Sequence, residues 1–440
     1  MGTATRARTT TSAPDNSEPD GARPAPTRSR PARTAAPRTE ARHRSLGPFQ
    51  LRQLVLVELA AAIVVGAMAV DGVLVVPAAV VAVALVLVAV VRRRGRPLPE
   101  WLGTVVALRR RRRQAAAEVL PPDLDPGLAP AVECDPALHS LSYTDRDRRG
   151  IGMVGDGTFL TAVLRVEPRP AALRTGPAER PLPLRLLSDV LEVDGIRLES
   201  VQAVQYTQPA PAPHLPEQSV AATSYRPLQA TCGAPAVRLT WIALKLDPEL
   251  CREAVQARGD GLEGAQRCLV RAADQLASRL AGAGFRATLL SEQELVTALA
   301  TSAGASPMAT ARAGRPDSAP ARRTEERARA WRCDDRWHTT YGVSRWPEVG
   351  PGAASLPSLV AQLTNLRALA TTFSLTLSRG ENRSVALSGH IRITARSDDE
   401  LVAARHTLER LSREHRVGIV RLDREQVPGV LATLPLGGTR

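Results

Sequence analysis

The chain has 440 residues, 44% of them hydrophobic and only 3% aromatic, and a formal net charge of +14. The charge is uneven: residues 1–120 hold 19 arginines against 8 acidic residues, and residues 121–440 hold 39 basic against 36 acidic ones. With no basic stripe interleaved with aromatics beyond residue 120, this argues against a nucleic-acid partner, and five scattered cysteines without a C-x-x-C argue against a disulfide framework.

Residues 1–46 are rich in Pro, Ala, Thr, Ser and Arg and hold no large apolar residue between Met1 and Leu46, which predicts a disordered cytoplasmic tail. Leu54–Val70 is then apolar except for Glu58, Asp71-Gly72 is a tight-turn dipeptide, and Val73–Val91 is apolar without a charge. At about 1.5 Å per residue the two runs span roughly 25 and 28 Å, close to the hydrocarbon core of a bilayer. The pattern predicts a transmembrane helical hairpin over residues 47–96, with helices at 54–70 and 73–91; a pair of buried soluble helices is the alternative, favoured by the shortness of the first run. Arg42, Arg44 and Arg52 precede the hairpin, Arg92, Arg93, Arg94 and Arg96 follow it, and the turn carries only Asp71. By the positive-inside rule both termini are cytoplasmic, in a multi-pass protein of the plasma membrane. A cleaved signal does not fit, because about 50 residues precede the two apolar runs.

Glu58 either reaches the interface toward Arg52 or pairs with a polar group on a neighbouring helix, marking a subunit contact. Ala62 and Gly66 extend its face at steps of four, and small residues are where helices pack closely in lipid. Glu58, Ala62 and Gly66 are therefore expected to face protein, either the partner helix or another subunit, while Val64, Val65 and Met68 face elsewhere.

Trp101, Leu102, Val105, Val106 and Leu108 precede Arg109, Arg110, Arg111, Arg112 and Arg113. Two readings stand: a short helix on the inner leaflet with its arginines on anionic lipid, or a helical extension with a solvated basic end. Pro121, Pro122, Pro126 and Pro130 predict a stiff linker, so that 97–130 is a basic juxtamembrane segment and the cytosolic domain occupies 131–440.

In that domain two apolar runs flank Gly155-Asp156-Gly157, a hairpin signal. A helix at 184–193, a strand at 196–206, a proline-rich loop at 209–216 and a strand at 237–246 follow. Helices at 248–256 and 262–280 come next, the second with Leu269, Ala272, Leu276 and Leu280 on one face. A strand at 285–290 leads into a helix at 292–300. Residues 301–327, rich in Ala, Ser, Pro and Arg, are expected to be a disordered insertion. Residues 331–346 read as extended, 356–369 as an amphipathic helix, 373–377 and 384–395 as strands, 401–411 as a helix and 418–422 as a last strand. The fold class is thus a membrane protein with an N-terminal two-helix transmembrane hairpin and a cytosolic mixed α/β (α+β) domain.

Phe285–Ala300 and Ile391–His406 align without gaps and share Arg286/Arg392, Thr288/Thr394, Ser291/Ser397, Glu294/Glu400 and Leu295/Leu401. Each reads as a strand running into a Ser-x-x-Glu capping box and a helix. The echo fits either a duplicated half-domain or the shared chemistry of any strand that runs into a capped helix.

Catalytic motifs are scarce. A G-x-x-x-x-G-K-[S/T] loop is impossible, because the only lysine, Lys245, follows Leu244. Gly150–Gly155 and Gly259–Gly264 fit G-x-G-x-x-G by letter, but one runs into a hairpin and a helix precedes the other. There is no H-E-x-x-H or G-x-S-x-G, and the seven histidines make no ligand-spaced cluster. The triplets Asp123-Leu-Asp125 and Asp145-Arg-Asp147 motivate one alternative, a membrane-anchored glycosyltransferase-like enzyme; a membrane-tethered regulatory module is another.

The order of these features resembles EccE, a membrane component of type VII (ESX) secretion systems. Three stretches carry the likeness: the hairpin from Arg149 to Gly157, Trp337-His338-Thr339-Thr340-Tyr341 followed by Arg345-Trp346-Pro347, and the terminal Gln426…Gly429…Leu434-Pro435-Leu436-Gly437. The resemblance implies a non-enzymatic structural subunit without cofactor or metal. It implies partners of the EccB, EccC and EccD type, with EccC as the ATPase. The basic segment adds anionic inner-leaflet lipid as an expected partner and nucleic acid as none.

Overall fold

The computed structural model describes residues 48–70, 75–90, 92–93, 96–121, 124–169, 181–211, 215–216, 218–232, 237–315, 321–347, 355–380 and 384–438. The tail 1–46, Asp71-Gly72 and Arg94 lie outside the described residues.

Both apolar runs are helical. α1 (Pro48–Val70) and α2 (Val75–Val90) lie against each other, with Ala60 and Ala82 buried. α1 starts earlier than expected because Pro48 suits a first helical position, where its missing N–H costs nothing. α2 has 16 residues, about 24 Å at 1.5 Å per residue. Among the described residues no helix is long and apolar enough to cross a membrane. β1 (Arg92–Arg93) and β2 (Arg96–Pro97) pair antiparallel, and α3 (Leu98–Ala117) then runs through all five arginines. Arginine and alanine are good helix formers, so the segment is one 20-residue helix rather than a short one.

The expected linker is corrected from Leu124 onward. Leu128, Ala129 and Pro130 are buried, the last two within α4 (Ala129–Val132), and Leu124 packs on the same core. The Asp125 carboxylate accepts from the Gly127 N–H at 2.7 Å and turns the chain inward. β3 (His139–Thr144), β4 (Gly150–Gly155) and β5 (Leu160–Pro168) form a meander, and Gly155 stands opposite Leu160, as the hairpin signal requires. α5 (Leu184–Asp189) stops short of its expected end. Asp194 and Gly195, both at positive φ, turn β6 (Glu192–Val193) back onto β7 (Ile196–Arg197) before β8 (Ser200–Gln208).

α6 (Val220–Cys232), β9 (Val237–Leu246), a 3-10 turn at Pro248–Cys251, α7 (Arg252–Gln256), α8 (Gly261–Gly282), β10 (Phe285–Leu289) and α9 (Glu292–Ala303) follow. The disordered insertion expected at 301–327 is overturned for its described residues. α9 continues to Ala303, α10 (Pro307–Ala313) follows, and β11 (Thr324–Glu326) pairs with β12 (Trp331–Cys333). Charged partners in the rest of the fold, not an apolar period, order this segment. β13 (Arg336–Arg345), α11 (Leu356–Thr364), β14 (Ala370–Arg379), β15 (Val385–Ala395), α12 (Asp398–Glu414), β16 (Gly418–Arg421) and α13 (Gln426–Leu431) complete the chain.

Among the described residues twelve strands make one antiparallel sheet in the order β11-β12-β13-β15-β14-β8-β9-β5-β4-β3, with β10 beside β5 and β16 beside β13. Side chains alternate between faces along each strand. On β5, Leu160, Ala162, Leu164 and Val166 join α5, α7, α8, α11 and α12 in one core, whereas Val163 points to a second core under α4, α9 and α13.

The sheet repeats itself. In the first half β5 pairs with β9, β9 with β8, and β10 joins β5; in the second, β13 pairs with β15, β15 with β14, and β16 joins β13. The helices match as well: α5 with α11, α8 with α12, α9 with α13. The halves meet at the antiparallel β8–β14 pair, where Val204 faces Ser374. The sequence echo selects other partners. β10–α9 and β15–α12 are each strand then helix in this sheet, but α9 covers one face and α12 the other. The topological equivalent of β10–α9 is β16–α13, so the echo reflects only the chemistry of a Ser-capped helix.

Candidate functional site

Where α3 meets the sheet, the outer strand β11 exposes an edge that must be closed. Thr324 and Glu326 turn their backbone groups away from β12. The Thr324 N–H donates to the Glu133 carboxylate at 2.7 Å, and Arg112 Nε donates to the Glu326 carbonyl at 2.9 Å. Charged side chains thus stand where a further strand would pair.

The Glu326 carboxylate holds α3 in place. Arg111 donates to both of its oxygens, at 2.8 and 2.9 Å, and to the Arg424 carbonyl at 2.6 Å. The Val427 N–H, in the first turn of α13, donates to the same carboxylate at 3.0 Å. A bidentate guanidinium–carboxylate pair is among the stronger polar contacts available. The Arg424 guanidinium lies 5.0 Å from the centre of the Trp101 ring, tying the other end of α3 to the same loop.

A second network anchors the segment expected to be disordered. Arg323 is almost wholly buried; it makes two bonds to Asp334, at 2.9 and 2.8 Å, and reaches the Pro126 carbonyl and Thr310. The Asp334 bonds raise the Arg323 pKa. Asp334 also accepts the Ser306 N–H at 2.8 Å. Arg322 donates to the carbonyls of Ala115 in α3 and Glu133. Burial raises the pKa of Glu133, while the Thr324 and Arg323 bonds oppose the shift. Between α3 and the edge remains a hollow of about 740 Å³, bordered by Arg111, Arg112, Glu133, Cys134, Arg322 and Trp331.

The stretches that carried the family likeness are packing elements. His338 and Tyr341 sit in the middle of β13, buried. His338 Nδ1 lies 3.0 Å from Thr394 Oγ1, and the Trp331 ring centre is 4.9 Å away. The terminal Leu434–Gly437 crosses the sheet: Thr161 and Ser200 hydroxyls donate to the Leu436 and Gly437 carbonyls, and the Gly437 N–H donates to Gln202.

The five consecutive arginines of α3 divide between two environments. Arg111 and Arg112 are spent on the domain, whereas Arg109, Arg110 and Arg113 are exposed. Arg92 and Arg93 form β1, and Arg96 lies in β2, paired with Arg93. Glu58, Ala62 and Gly66 are all exposed on α1, with open space around Gly66; Val65 and Met68 are exposed too, and Val64 is half-buried. Of the acidic residues in the two D-x-D triplets, Asp125, Asp145 and Asp147 are described. Asp123 lies outside the described residues, and Asp145 is bonded to Arg149 and to the Asp147 N–H. No group of metal-ligating residues stands together among the described residues.

Sequence reasoning missed Glu133, Arg322, Arg323, Glu326 and Asp334. For Arg322, Arg323 and Glu326 the signal was the mixed-charge run Arg322-Arg323-Thr324-Glu325-Glu326-Arg327; Glu133 and Asp334 lie outside it.

Residues 234–343, from β9 to β13, match the family model described as "Putative type VII ESX secretion system translocon, EccE". The chain is 32% identical over 200 residues to the ESX-1 secretion system protein EccE1 of Mycobacterium tuberculosis, covering 44% of this chain and 38% of that protein. It is 29% identical over 204 residues to the protein of the same name in Mycolicibacterium smegmatis, with the same coverage. The chain therefore spans well under half the length of the curated relatives it matches. The resemblance to EccE covers residues 234–343 and includes β11, the edge strand on which α3 docks.

Proposed function

We propose that this chain is the EccE-type subunit of a type VII (ESX) secretion complex. It is a non-catalytic structural component that stabilises the membrane assembly through which proteins are exported. The observation that carries this reading is the family match over 234–343, which falls on β9–β13 and takes in the α3-docking edge. In this reading α1 and α2 form a membrane hairpin with both termini cytoplasmic. Leu59, Val65, Met68, Val76, Val80, Val81 and Val83 are exposed on a helix pair that does not bury them, as lipid-facing side chains would be. The exposed Glu58–Ala62–Gly66 face meets a neighbouring subunit, since small residues and a polar anchor suit helix packing in lipid. Partners of the EccB, EccC and EccD type supply the ATPase and the rest of the assembly.

The test is affinity purification of the membrane complex in mild detergent. The tagged chain should bring down the other membrane subunits, and Ala62→Leu with Gly66→Leu should release it from them while leaving it in the membrane. Purification alone, together with normal export in a strain lacking it, would refute the reading. Undiminished co-purification of the double variant would leave the hairpin as an anchor and move the contacts to the domain.

A further inference from the structure

α3 has two faces. At about 100° per residue, Thr104, Leu108, Arg111 and Ala115 share the arc that meets the domain, and Leu102, Val106, Arg109, Arg110 and Arg113 share the opposite arc. Leu108 is buried and Arg111 is bonded to Glu326, whereas Leu102 is 47% and Val106 62% exposed. The three outer arginines are exposed, and with Val106 and Gln114 they line an open hollow of about 420 Å³. Among the described residues no carboxylate pairs with any of the three.

We propose that this outer arc lies on an anionic lipid surface. Leu102 and Val106 enter the boundary between headgroups and acyl chains, and Arg109, Arg110 and Arg113 bind lipid phosphates. The proposal rests on the membrane reading of the hairpin and narrows it to particular residues. Charge complementarity selects the occupant, because two exposed apolar side chains followed by three exposed guanidiniums on one arc match the layered chemistry of an anionic leaflet. Arg111 and Arg112 cannot share this role while they close the β11 edge. α3 is then held between bilayer and sheet, and the domain is fixed with its β11 edge toward the membrane.

The experiment uses the full chain in lipid nanodiscs of phosphatidylcholine alone or with phosphatidylglycerol. Val106→Cys carries an environment-sensitive fluorophore, Leu262→Cys on α8 serves as a distant control, and the unsubstituted chain gives the background of its native thiols. With phosphatidylglycerol the label at 106 should shift to the blue and be quenched by nitroxide-bearing lipid, and the label at 262 should do neither. Replacing Arg109, Arg110 and Arg113 by Gln should lower the ratio of docked to undocked helix on the order of a hundredfold. High salt should act in the same direction. A label that stays in water while the chain remains in the disc overturns this assignment alone. So does an equal shift in both lipids, or one that survives the triple substitution. A chain that leaves both kinds of disc on gel filtration overturns the hairpin reading and this assignment with it.

Discussion

At Gly437 the backbone has φ +91°, and a Cβ there would stand 2.4 Å from Lys245 Cβ. The terminal Leu434-Pro435-Leu436-Gly437 thus needs its glycine for both conformation and space. Gly437→Ala should cost about 2–5 kcal/mol, combining a left-handed backbone with overpacking. Denaturant titration of the purified chain measures it, and a loss no larger than that of a surface Gly→Ala change would refute the account. His338 is the other informative residue. Burial pushes its pKa well below the usual 6.5, with Arg392 and Arg336 adding to the effect, so the folded protein keeps the imidazole neutral. Below pH 6.5 the unfolded chain binds a proton that the folded chain refuses, so this contribution to stability is present above that pH and lost as the pH falls. Burial depresses His390 in the same direction. His338→Gln should therefore flatten the decline in unfolding midpoint between about pH 7 and about pH 5. Identical slopes for wild type and variant would count against it.

At the scale of elements, α3 and β11 hold each other in place. Glu326 is a single carboxylate shared by Arg111 and the first turn of α13. Glu326→Gln removes the charge and one acceptor, which should weaken the contact by about 2 kcal/mol and speed amide exchange along α3 about thirtyfold. Glu325→Gln is the control, because Glu325 is exposed and accepts its hydrogen bonds from Arg327 rather than from α3. Equal exchange in the two variants would remove Glu326 from this role. Capping shows why local chemistry misleads about duplication. Ser291 and Glu294 make a full reciprocal box, while the Glu400 side chain turns back to Arg396 instead of the Ser397 N–H. Two helices on opposite faces of one sheet begin with the same four-residue chemistry, because a helix start needs it wherever the helix lies.

Across the whole molecule, two similar halves join at β8–β14, and their outermost strands β11 and β3 form the far edges. With ten strands along the main path at about 4.8 Å spacing, the β3 edge lies roughly 40 Å from the β11 edge. If α3 rests on lipid, β3 is the edge carried farthest from the bilayer. With both termini cytoplasmic, a reporter active only outside the membrane, fused after Arg440, should be silent. Activity there would invert the arginine asymmetry argument.

The sequence alone determined what depends on neighbours in the chain. The apolar runs of α1 and α2, the Gly155-Asp156-Gly157 hairpin, the apolar stripe of α8 and the Ser caps of α9 and α12 are local patterns, and each folds as its pattern requires. The likeness to EccE was legible for the same reason, since its motifs are short stretches of packing strand and tail. What the tertiary structure decided depends on partners distant in sequence. Arg111 meets Glu326 across 215 positions, and Glu133 meets Thr324 across 191. No periodicity marks such pairs, so a charged segment ordered by them looks like a flexible insertion. The duplication was hidden likewise, because antiparallel pairing order leaves no trace in spacing. Which of five consecutive arginines point outward followed only once α3 had a domain to lie on.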